Sequence, residues 1–102
     1  SRDHTNTLAR QLLQSKLQLV VGGGKEDIDK VLRDTLERSG VVMYEDLDNW
    51  NTGKKGRTMV ILSNKTVNTM KGGRGSYLTT ALRKALQQLS SGKGFFLMVE
   101  GL

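Results

Sequence analysis

The chain has 102 residues, of which 36% are hydrophobic and 25% are charged, and its formal net charge at pH 7 is +6. This length and composition are typical of one small globular domain spanning residues 1–102, and they exclude an intrinsically disordered chain. No apolar run approaches the ~20 residues of a membrane-spanning helix, and the absence of cysteine excludes disulfides without deciding the redox compartment.

The first half of the chain predicts a helix, a strand and a second helix. Three leucines share one face of a helix over residues 5–16, and the apolar run at 17–21 predicts a strand that three glycines follow. Apolar residues then recur at the spacing i, i+3, i+4, i+7 and i+8, which is typical of an amphipathic helix over 27–39. Its predicted inner face consists of Ile28, Val31, Leu32, Thr35 and Leu36.

The second half predicts two apolar strands that flank a third helix. The strands lie at 58–63 and 95–99, and a short additional strand is expected at 41–44. A helix over 77–91 follows Ser76, which is a suitable N-cap. Its predicted inner face consists of Leu78, Ala81, Leu82, Ala85, Leu86 and Leu89.

These strands are continuously apolar rather than alternating, which indicates burial on both faces. Because they alternate with helices along the chain, they predict an α/β fold with a mainly parallel sheet covered by helices. The order of the strands stays open at this stage.

The two glycine-rich stretches do not match known phosphate-binding loops. In "VVGGGKED", Gly24 and Lys25 are followed by Glu26, so the hydroxyl of a P-loop is missing, and the dinucleotide pattern fails as well. We therefore interpret this stretch as a turn that needs positive φ or a close backbone approach. "KGGRG" at 71–75 is interpreted as a flexible connector, with an anion site at the following helix as the alternative.

The chain offers few residues for catalysis. His4 is the single histidine, so a self-contained histidine metal cluster is excluded, and no serine lies in a recognisable nucleophile motif. The densest basic cluster is Lys54, Lys55 and Arg57, and Trp50 is the nearest aromatic residue that could stack on a base. Together with the net charge, this cluster leaves open a standalone basic module that binds nucleic acid or another anionic ligand.

Four stretches, in the same order, resemble the alkaline phosphatase family. "SRDH" is similar to the segment that carries the family's phosphate-binding arginine, and "LVVGGGKED" resembles the family's strand and triple glycine. "GRGSYLTTALRKALQQLSSGKGFFLMVEG" resembles its helix and strand, and the closing "KGFFLMVEG" resembles the strand that delivers a metal-binding glutamate.

This resemblance implies a piece of a three-layer α/β/α fold and a function in the longer protein, which we call the parent. The parent would be a metal-dependent hydrolase of phosphate monoesters that forms a phosphoserine intermediate and uses zinc and magnesium. Arg2 would bind the substrate phosphate, and Glu100 would be a magnesium ligand. The resemblance also implies a periplasmic or secreted parent, and whether the parent is a homodimer stays open.

The residues that do the chemistry in this family do not occur in the chain. The nucleophilic serine would precede Ser1 and the zinc ligands would follow Gly101, while Leu102 departs from the family pattern and is interpreted as a remnant of cloning. We therefore expect an internal segment with no catalytic residue of its own. By itself it should be inactive, bind no metal tightly, and show no specific affinity for nucleic acid.

Overall fold

The computed structural model describes residues 2–15, 17–54, 56–63, 65, 73–90 and 95–98, and it describes only the backbone of residues 2–4, 73–75 and 95–98. In chain order the elements are helix α1 (Arg2–Gln14), strand β1 (Leu17–Gly23), a 3-10 turn (Lys25–Asp27), helix α2 (Lys30–Arg38), strands β2 (Val42–Tyr44) and β3 (Thr58–Leu62), helix α3 (Gly73–Leu89) and strand β4 (Phe95–Met98).

The strands form one parallel sheet in the order β2-β3-β1-β4. Val21 in β1 lies opposite Val60 in β3 on one side and opposite Met98 in β4 on the other. The predicted parallel α/β architecture is therefore confirmed, and the short strand expected at 41–44 is β2.

The predicted start of α3 is wrong. The helix begins at Gly73, so Ser76 lies inside the helix rather than at its N-cap, and the last three residues of the predicted connector at 71–75 are helical.

Each face of the sheet carries its own hydrophobic core. On one face, α1 and α2 pack against Val20, Met59 and Ile61. On the other face, α3 and the loop that holds Trp50 pack against side chains including Leu19 and Val60. Successive residues of β1 thus point into different cores, which explains why apolar residues follow one another without alternation in the middle of this strand.

The predicted inner face of α2 is wrong at Val31 and Thr35. Leu36 is fully buried and Leu32 is half-buried, whereas Thr35 is exposed and 77% of Val31 is exposed. A 3-10 turn occupies Lys25–Asp27, so α2 begins only at Lys30. Val31 therefore lies in the first turn of the helix, where it makes no contribution to the core.

The predicted inner face of α3 is also too wide. Tyr77, Ala81 and Ala85 are fully buried against the sheet, whereas 45% of Leu82 and 59% of Leu86 is exposed. Two alanines spaced four residues apart let the helix approach the sheet closely, and they leave the leucines one position further on at its flank.

Replacing Leu86 by alanine should consequently cost little stability. Because Leu86 is largely exposed, we expect a loss within about 0.5 kcal/mol, far below the roughly 2–5 kcal/mol of a buried leucine. Urea unfolding of Leu86→Ala beside the wild type measures this. A loss above about 2 kcal/mol would mean that another part of the protein covers this flank.

Candidate functional site at the carboxyl edge of the sheet

All four strands end at one edge of the sheet, which we call the carboxyl edge. Their last residues are Gly23, Tyr44, Leu62 and Met98. The neighbouring strands β1 and β3 are followed by helices on opposite faces, α2 after β1 and α3 after β3. Open α/β sheets bind their ligands outside the carboxyl ends of the strands, so this edge is the candidate site.

The beginning of α1 lies at the carboxyl edge. The Asn6 side chain donates from Nδ2 to the carbonyl oxygen of Asp27 at 3.0 Å, and Asn6 Oδ1 accepts from the backbone N–H of Asp29 at 2.9 Å. Both backbone groups lie just beyond the end of β1. The backbone of Arg2, one helical turn before Asn6, therefore belongs to the end of α1 that reaches this edge.

The glycine turn after β1 packs directly against α1. Gly24 has φ +88°, which is the left-handed region, and a Cβ at this position would lie 2.5 Å from Thr5 Oγ1. Both reasons given for the glycine stretch, positive φ and close approach, are thus confirmed at Gly24.

Glu100 lies outside the described residues. The strand before it is described as far as Met98, which pairs with Val21 near the end of β1. The structure therefore brings the start of α1 and the end of β4 to the same edge, while the side chains of Arg2 and Glu100 are not described.

The described residues do not fit a zinc or magnesium centre. Across the part of the chain that the structure describes, no group of three or more His, Cys, Asp or Glu side chains could hold a metal ion. Zinc and magnesium sites need several such donors converging on one point. No chemistry can therefore be assigned to a metal on the basis of these residues.

An ion-pair cluster lies beside the carboxyl edge, and sequence reasoning missed it. The carboxylate of Glu45, which follows β2, contacts Arg33 Nη2 at 2.6 Å and Lys25 Nζ at 3.3 Å. The hydrogen bonds from Arg33 and then Lys25 lower the pKa of Glu45. The helical spacing of Arg33 and Glu37 was readable in the sequence, but the pairing with Glu45 depends on the fold.

Replacing Glu45 by glutamine should lower stability slightly at neutral pH. The folded-state pKa of Glu45 lies below its ordinary value, so its contribution is present above the unfolded-state pKa and is lost as the pH falls through the folded-state pKa. For partly exposed pairs we expect a loss under about 1 kcal/mol at pH 7. Urea midpoints of wild type and Glu45→Gln should converge once the pH falls below the folded-state pKa of Glu45, and a constant difference would contradict this assignment.

The basic cluster near Trp50 does not present an aromatic surface. Trp50 is only 2% exposed, and its indole Nε1–H donates to Gln88 Oε1 at 2.7 Å. Arg57 donates to the backbone carbonyl oxygen atoms of Ser15 and Leu17, and Lys55 lies outside the described residues. Trp50 is therefore a core residue and cannot stack on a nucleic-acid base in this fold.

Comparisons of the chain with models of protein families, with curated proteins and with solved structures find no match. Within the described residues, no helix is both long and apolar enough to cross a membrane. The alkaline phosphatase resemblance therefore rests on the four sequence stretches, and the function that it implies is a proposal.

Proposed function

We propose that this chain is a segment of an alkaline-phosphatase-like enzyme that hydrolyses phosphate monoesters. The observation that carries the proposal is the meeting of two elements at the carboxyl edge. The helix that begins with Arg2 and the strand that precedes Glu100 both reach this edge, although almost the whole chain separates them in sequence.

The chemistry of the two side chains fits this edge of the sheet. An arginine guanidinium can donate two parallel hydrogen bonds to the oxygens of a phosphate, which suits Arg2 as the group that binds and orients the substrate. A carboxylate is the ligand type that magnesium prefers, which suits Glu100. The zinc ligands and the nucleophilic serine belong to the parent outside this chain, and the bound metals would polarise the phosphate ester.

The uncovered leucines of α3 support a larger domain. Lys84 and Gln88 turn toward the Trp50 loop, where Lys84 Nζ lies 5.5 Å from the centre of the indole ring. Leu82 and Leu86 lie on the opposite flank of α3, where 45% and 59% of their surface is exposed. Neighbouring exposed leucines are typical of a surface that further structure covers.

Activity measurements on the chain and on the parent test the proposal. With zinc and magnesium added at alkaline pH, the isolated chain should not hydrolyse a chromogenic phosphate monoester, because an assembled site is needed. The parent should hydrolyse it, and Glu100→Ala in the parent should lower the rate without changing the urea midpoint. A matched Glu37→Ala variant, on the exposed side of α2, should leave the rate unchanged.

Two outcomes would contradict the proposal. Turnover that copurifies with the isolated chain, and that Glu100→Ala abolishes, would mean that the chain is a complete enzyme. Sequence-selective nucleic-acid binding below about 1 µM at physiological salt would favour the basic binding module, since a purely electrostatic association weakens steeply with salt.

A further inference from the structure

Asn6 is a buried polar residue that links two parts of the backbone far apart in sequence. It is 4% exposed, and its side-chain amide bonds to Asp27 and Asp29, which lie 21 and 23 residues further along the chain. We call this pair of hydrogen bonds the Asn6 bridge. It spans the junction between the 3-10 turn and α2, where the regular backbone pattern is interrupted.

Thr5 adds a second contact between the same two segments. Its hydroxyl lies so close to Gly24 that no side chain fits between them. Thr5 and Asn6 therefore hold α1 against the turn after β1 at two adjacent positions. Leaving the buried amide of Asn6 without partners would be costly, so the bridge resists separation of α1 from the carboxyl edge.

The first turn of a helix is otherwise its weakest part. Its leading N–H groups have no partner within the helix, and helix ends open at low free energy. Arg2 lies in this turn, four residues before Asn6. A group that must meet a phosphate in a defined geometry needs a fixed support, because a displacement of 1 Å can cost about 100-fold in rate.

Resting on the function proposed above, we propose that Asn6 is a positioning residue for Arg2, and that the Asn6 bridge holds the backbone of Arg2 at the carboxyl edge, where the phosphate of a monoester substrate would bind. Asn6 does not touch the substrate in this proposal. It acts by fixing the first turn of α1 to the carboxyl edge.

Hydrogen exchange in the 102-residue chain tests the anchoring step. Asn6→Ala should speed amide exchange in the first two turns of α1 by at least about tenfold, while amides in β3 change much less. Asn49→Ala is the matched control. In an exposed loop, Asn49 donates one hydrogen bond from its backbone N–H and one from its side-chain Nδ2 to the carboxylate of Asp46. Unchanged exchange in α1 of Asn6→Ala would overturn the inference.

Phosphate inhibition of the parent tests whether the anchor acts through Arg2. Asn6→Ala should raise the inhibition constant of inorganic phosphate about tenfold, and in an Arg2→Ala background the same change should have less than about a twofold effect. Asn6→Asp keeps the acceptor for the Asp29 N–H, so it should restore part of the affinity and serves as the variant if Asn6→Ala does not fold.

The two possible failures can be told apart. If Asn6→Ala raises the inhibition constant of phosphate equally with and without Arg2, Asn6 has only a structural role. That result would overturn the positioning inference but not the proposed function. If Arg2→Ala itself leaves phosphate inhibition unchanged, the proposed role of Arg2 fails, and the inference fails with it.

Discussion

Replacing Gly24 by alanine should destabilise the protein by about 2–5 kcal/mol. The backbone at Gly24 has φ +88°, which costs a residue with a Cβ about 1–2 kcal/mol. The new Cβ would also lie 2.5 Å from Thr5 Oγ1, and forcing an extra carbon into a packed site costs about 1–3 kcal/mol more. Urea unfolding followed by circular dichroism measures the loss.

Gly40 provides a matched control for this prediction. It has the same φ of +88°, but among the described residues other than its two chain neighbours, no atom lies within 4 Å of the position that its Cβ would take. Gly40→Ala should therefore cost only the conformational part, about 1–2 kcal/mol. In a Thr5→Ala background, the cost of Gly24→Ala should fall to that level. Equal losses for the two glycines in the wild-type background would show that α1 does not press on the turn.

Replacing Trp50 by alanine should destabilise the protein by about 3–5 kcal/mol, because it removes the largest side chain of one core. The loss also breaks a chain of hydrogen bonds. Trp50 donates to Gln88 Oε1, and Gln88 Nε2 donates to the buried hydroxyl of Thr58 at 3.1 Å. Lys84, which lies over the indole ring and donates to the carbonyl oxygen of Leu47, would lose its aromatic partner.

Trp50→Phe separates the apolar contribution from the polar one. It keeps an aromatic ring but leaves Gln88 Oε1 without the indole donor, so a loss of about 1–3 kcal/mol is expected.

Because Trp50 is the only tryptophan, its fluorescence reports on this site alone. If the folded protein emits at the same wavelength as the unfolded chain, and if iodide quenches this fluorescence freely, the buried position of Trp50 would be contradicted.

The strands were predictable from the sequence because burial on both faces leaves a direct mark on it. Residues 17–21 and 58–62 are apolar except at Gln18 and Thr58, and both form inner strands of the sheet. The order of the strands was not predictable, because nothing in β1 itself records that β3 and β4 become its neighbours.

The helix faces were only partly predictable, because periodicity does not tell which apolar residues the sheet will touch. In α3 the alanines, not the larger Leu82 and Leu86, lie against the strands. In α2 the 3-10 turn displaced the helix start, and the spacing that began at Ile28 predicted an inner face that wrongly included Val31 and Thr35.

The residues of the candidate site were predicted from a family resemblance, but the contacts that support the site were not predicted. Arg2 and Glu100 were singled out by similarity to a family, and both still depend on that similarity for their roles. The Asn6 bridge and the pairing of Glu45 with Arg33 join segments 12 or more residues apart in sequence. An asparagine inside a helix and a glutamate after a strand are common, so neither carries a signal before the fold is known.

The most direct test of the proposed phosphatase is the sequence of the coding region on both sides of this segment. We expect codons for aspartate and histidine zinc ligands soon after Gly101 and a serine nucleophile motif upstream of Ser1. A start codon immediately before Ser1 together with a stop codon immediately after Leu102 would contradict the proposal, because the chain would then have to function without the serine and the zinc ligands.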